Sequence, residues 1–91
     1  MKAKKFIIRG KVQGVYFRKY TQNQARTLGL AGWVRNRADG SVECLAQGSL
    51  EKLSLFEKWL WTGSPASLVG AVRSEDAEVE KNDDFEILDS I

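Results

Sequence analysis

The chain has 91 residues, 43% hydrophobic and 29% charged, with one proline and eight glycines, which excludes disordered and fibrous classes and predicts one folded domain over residues 1–91. It has no histidine, a lone cysteine and no apolar run near the roughly 18 residues of a membrane span, so no intrachain disulfide, no metal or other cofactor and a cytoplasmic home are expected. The formal net charge is only +2, yet residues 1–38 hold ten Lys and Arg and no acid, whereas residues 39–91 hold four bases and twelve acids.

In chain order, the β-branched and apolar stretch from Lys4 to Val12 predicts a first strand. From Phe17 to Leu28 the spacing predicts a helix with Phe17, Tyr20, Ala25 and Leu28 inward and Gly29 as its left-handed C-cap. Leu30 to Asn36 and Ser41 to Gln47 read as an antiparallel hairpin turned by Asp39-Gly40. Ser49 is a plausible N-cap for a second helix with Leu50, Leu53, Phe56 and Leu60 buried, ended by Gly63-Ser64-Pro65. Leu68 to Glu75 reads as a fourth strand, and Phe85 to Leu88 as a short terminal one after an acidic loop.

The order βαββαβ is that of a ferredoxin-like α+β sandwich, an antiparallel sheet with two helices on one face. In such a sheet strand three separates strands one and two, which run in the same direction. The loop after strand one and the end of strand two then open on the same edge, roughly 10 Å apart.

The loop after strand one, Arg18 and Asn36 meet at that edge. Gly10-Lys11-Val12-Gln13-Gly14-Val15-Tyr16-Phe17-Arg18 joins a strand to a helix through a glycine-bearing turn, so the amides of Gly14, Val15, Tyr16, Phe17 and Arg18 can cradle a phosphate at a helix N-terminus. Neither a Walker nor a dinucleotide pattern is met. Arg18 places a cation where the helix dipole disfavours one by roughly 0.3–1 kcal/mol, which fits a bound anion about as well as it fits a tolerated, solvated arginine. Asn36, read alone, serves the turn after its strand. Lys2, Lys4, Lys5, Lys11 and Lys19 read as solvated surface, Cys44 as a small hydrophobe, Trp33 as a core residue, and Tyr16 as a cover for apolar surface or an edge of the site entrance.

The runs 10–18, Ala25 to Asn36, Asp39-Gly-Ser-Val-Glu43 and Gly63-Ser-Pro65 closely resemble the acylphosphatases over nearly the whole chain. The resemblance implies a small, monomeric, metal-free hydrolase of carboxyl-phosphate bonds, with Arg18 as the phosphate-binding arginine, Gly14 to Arg18 as the phosphate loop and Asn36 as the water-positioning residue. Arg37 departs from the small hydroxyl residue that many members carry there. The residues themselves are consistent with this: without histidine, a cysteine in the cradle or nearby acids, positioning and charge stabilisation remain, and these suit a substrate whose leaving group is already a good one. The expected partner is a small acyl phosphate, with neither nucleic acid nor membrane. The alternative is a non-catalytic phosphate- or RNA-binding module of the same topology, although strand three, Ser-Val-Glu-Cys-Leu-Ala, lacks the aromatics that stack bases.

Overall fold

The computed structural model describes residues 1–91. Its elements are β1 (Lys2–Lys11), α1 (Phe17–Thr27), β2 (Ala31–Asn36), β3 (Val42–Gly48), α2 (Leu50–Thr62), β4 (Leu68–Ala77) and β5 (Phe85–Ile87). The sheet order is β4-β1-β3-β2-β5. Four strands pair antiparallel, with Ile8 opposite Val42 and Asn36 opposite Val42 on the two sides of β3, so β1 and β2 run in the same direction as expected.

The fifth strand departs from the purely antiparallel expectation, pairing parallel with β2 at Gly32–Phe85 and Val34–Ile87. The cause is its route. Residues 78–84 leave β4 at the end of the sheet opposite Asn36 and cross beneath β3 and β2, so β5 enters in the direction of β2. The crossing is pinned where the Gln47 side chain donates to Glu80 O (2.7 Å) and accepts from Glu80 N (2.8 Å), while Trp33 Nε1 donates to Glu80 Oε1 (3.0 Å). Trp33 is therefore half-buried on the outer face, stacked on the Arg35 guanidinium at 4.7 Å, and does not enter the core.

Both helices cover the other face. The core joins Phe6, Ile8, Val34, Val42, Cys44 and Ala46 of the sheet to Phe17 and Ala25 of α1, to Leu53, Phe56 and Leu60 of α2, and to Phe85 of β5. Phe56 is its hub, edge-on to Phe6 at 5.7 Å and to Phe85 at 6.0 Å. Ser49 caps α2 by accepting from Lys52 N, and Gly29 follows α1 with φ +71°, both as the sequence predicts.

On the helices, two inward assignments fail as well. At about 100° per residue, Leu50 falls to one side of the Leu53–Phe56–Leu60 stripe and is exposed. Tyr20 points away from the face that α1 buries, which is Phe17, Thr21, Gln22 and Ala25. Thr21 and Gln22 can be buried because each is bonded: Thr21 Oγ1 to Phe17 O at 2.7 Å, Gln22 Nε2 to Phe85 O at 2.9 Å. Trp59 packs against the core and Trp61 is exposed, so the two form no common platform. No helix is long and apolar enough to cross a membrane.

Candidate active site

At the end of the sheet where β1 and β2 finish, a cleft of about 420 Å³ is lined by Val12, Gly14, Tyr16, Phe17, Arg18, Lys19, Asn36 and Ile87. The topology thus brings Arg18 and Asn36 into one site although they belong to different elements. Val15 belongs to the loop by its backbone only, for its side chain is buried in the core.

The local fold of the loop follows from its residues. Gly14 has φ +73°, a conformation that costs side-chain-bearing residues energy, and Tyr16 adopts it as well at φ 59° and ψ 22°. Two left-handed residues so close together turn the chain sharply from β1 into α1. Val12, Val15 and Phe17 anchor that turn by burial, while Tyr16 stands 80% exposed at the rim of the cleft.

The start of α1 is electrostatically unusual. Tyr16 occupies the N-cap but offers no side-chain cap, and the first turn contains no acid. The first backbone bond of the helix is Tyr20 N to Tyr16 O (3.1 Å), so the preceding amides have no acceptor within the helix. Arg18 and Lys19 add two cations to the positive end of the dipole. Arg18 is half-buried and makes neither an ion pair nor a side-chain hydrogen bond with the protein. Lys19, read from sequence as surface charge, lines the cleft, its Nζ donating to Gln22 Oε1 at 3.2 Å.

Asn36, the last residue of β2, presents the opposite polarity. Its Oδ1 is buried and accepts no hydrogen bond from any protein group; no other buried side-chain nitrogen or oxygen in the molecule lacks a partner. Leaving such an acceptor unpaired costs about 1–3 kcal/mol. Two clamps join this residue and the loop to the frame. Gln13 Nε2 donates to Arg37 O and to Ser41 O, both at 2.9 Å, tying the loop to the base of the hairpin next to Asn36. Ser64 Oγ donates to Val15 O at 2.7 Å. Sequence reading did not single out Gln13, Ser64, Lys19 or Ile87 as site residues. Cys44 takes no part: it is fully buried on β3, and burial, with Glu43 beside it, pushes its thiol well above the usual range.

In chemical terms, the cleft brings a set of amide donors and an unengaged guanidinium together with the side-chain amide of Asn36. The first can hold a tetrahedral oxyanion, and an amide is a group able to hydrogen-bond a water next to it.

Comparison with known proteins identifies the family. The acylphosphatase family model matches residues 4–87. An acylphosphatase of Xanthomonas euvesicatoria pv. vesicatoria is 47% identical over 85 residues, covering 93% of this chain and 97% of that one. The crystal structure of acylphosphatase from Bacillus subtilis superposes with a TM-score of 0.94 at 39% identity, over 97% of this chain and 99% of that one. An acylphosphatase structure from Coxiella burnetii gives 0.92 at 37% identity, over 96% and 92%.

Proposed function

This chain belongs to the acylphosphatase family, and from that premise we propose that its cleft hydrolyses small acyl phosphates to carboxylate and inorganic phosphate by direct in-line attack of water. The loop amides of residues 14–18 and the Arg18 guanidinium hold the phosphoryl oxygens, with Arg18 gripping two at once. The observation that carries the reading is the placement of Asn36 in one cleft with Arg18 and the loop residues Gly14, Tyr16 and Phe17. The Asn36 side-chain amide hydrogen-bonds the attacking water and orients its lone pair toward phosphorus. A substrate oxygen takes the proton as the P–O bond to the carboxylate breaks.

Phosphoryl transfer has a loose transition state, so charge on the phosphoryl oxygens and alignment of the water are what a site must supply. A carboxylate leaves without a general acid. An alkoxide does not, and alkyl phosphates are therefore turned over barely at all. The positive charge that a metal would otherwise contribute comes here from Arg18 and the helix terminus, and the cycle we propose is metal-independent. We place it in the cytoplasm, carried out by a monomer. The non-catalytic RNA-binding alternative is disfavoured by β3, whose residues 42–47 are all buried and offer no face on which a base could stack.

The deciding experiment is hydrolysis of benzoyl phosphate beside p-nitrophenyl phosphate and an alkyl phosphate. Rapid turnover of the first and negligible turnover of the alkyl ester support the proposal. Binding of phosphate without turnover of benzoyl phosphate would sink it.

A further inference from the structure

We propose that the buried Ser64 hydroxyl is a positioning group that aims the Tyr16 amide into the anion cradle. The geometry of one peptide unit carries this. Ser64 is 2% exposed and donates through Oγ to Val15 O, whose peptide partner is the N–H of Tyr16. No peptide bond in the chain is cis, so the C=O and N–H of that planar unit point in opposite directions. With the carbonyl held inward toward α2, the Tyr16 N–H is directed outward, on the side of the cleft that Tyr16 lines.

Without that anchor the peptide plane could flip and put a carbonyl oxygen, not a donor, toward the anion. Ser64 is itself held, because its carbonyl accepts from Ser67 N at 3.0 Å and Ser67 Oγ at 2.7 Å. Gly63 brings it close enough. A Cβ at Gly63 would fall 2.9 Å from Phe17 Cε2 and nearer still to Ser67 Oγ, so only glycine lets the end of α2 reach the start of α1.

The inference rests on the cradle reading above, and the test separates the two. Steady-state hydrolysis of benzoyl phosphate is measured with inorganic phosphate as competitive inhibitor, on the wild type, Ser64→Ala, Ser64→Thr and Arg18→Ala. Loss of one well-aimed donor to a dianion predicts about a tenfold rise in phosphate Ki and in KM for Ser64→Ala, with a smaller change in kcat, since the phosphoryl oxygens are held in the ground state too. Ser64→Thr keeps the hydroxyl and restores Ki. The Tyr16 amide resonance shifts on phosphate addition in the wild type and much less in Ser64→Ala, whereas a hydroxyl serving stability alone would lower Tm and leave both Ki and that shift in place.

Unchanged Ki and an unchanged Tyr16 response in Ser64→Ala overturn the inference while leaving the cradle intact. Unchanged Ki in Arg18→Ala overturns the cradle itself. Should Ser64→Ala fail to fold, Ser64→Cys keeps the volume with a much weaker donor and gives the same reading.

Discussion

In the proposed mechanism Arg18 and Asn36 divide the work between grip and aim, and their substitutions should separate along that line. Arg18→Lys keeps the charge but loses the planar fork, so KM and phosphate Ki should rise by about tenfold while a residual rate survives. Asn36→Ala should lower kcat by roughly a hundredfold with KM nearly unchanged, because the amide acts on the alignment of water and not on substrate binding. Michaelis curves for the two proteins check this, and a wild-type kcat for Asn36→Ala would remove its role. The two residues differ in how visible they are in the sequence. Arg18 breaks a local electrostatic rule, a cation at the start of a helix, and so draws notice from position alone. Asn36 breaks none, and only the family resemblance or the orphaned Oδ1 of the folded chain singles it out. Gln13 and Ser64 fall in runs that carry the resemblance, but their bonds were not legible, because they reach 24 and 49 residues along the chain and no periodic pattern encodes such a reach.

Among the elements, the hairpin and the loop must keep register with each other, and Gln13 is the side chain that joins them. Both of its acceptors are carbonyl oxygens, which fixes its amide nitrogen toward the hairpin. Gln13→Ala should cost about 1–2 kcal/mol of stability and lower kcat by about tenfold through looser placement of Asn36, with phosphate Ki little changed. Urea unfolding and inhibition kinetics test both parts, and an unaffected kcat would mean that pairing with β3 alone sets the hairpin. The strands and helices were legible to within a residue or two, because turns and caps carry their own residues: Asp39-Gly40, Ser49, Gly29. What failed was the facing of Tyr20 and Leu50, which lie at the edges of the arcs that the helical spacing defines, and of Trp33, which packs on the outer face of the sheet. It is polar Thr21 and Gln22 that go inward on α1, each with a carbonyl to bond, and such partners appear only once the sheet is assembled. The parallel pairing of β5 was likewise hidden, since it depends on where β4 ends in space.

For the molecule as a whole, turnover and stability should respond to pH in different windows. There is no histidine, and the only thiol is buried and held protonated, so kcat should be flat from mildly acid to mildly alkaline pH. A bell-shaped profile would reveal a general base. Stability should instead fall on acidification. The hydroxyl of Ser41, then its amide, hold Asp39 down to about 2, and the Arg26 side chain, then the Phe85 amide, lower Asp84. Carboxyls lowered in the folded state stabilise it above their ordinary range, and that contribution is lost as pH drops from about 4 toward 2. Asp39→Asn should flatten the acid limb of a Tm-against-pH curve, and an undiminished slope would place the effect elsewhere. The pairing of β1 has a further consequence, for how the protein comes into being. Nearly all the reactive groups lie between Gly14 and Asn36, yet Ala3 must find Ala77 as its edge neighbour, and the loop carbonyl must find Ser64. A nascent chain emerging from the ribosome therefore holds its chemistry early and its framework late, and gains catalytic competence only once Ser64 and β4 have emerged, all at once.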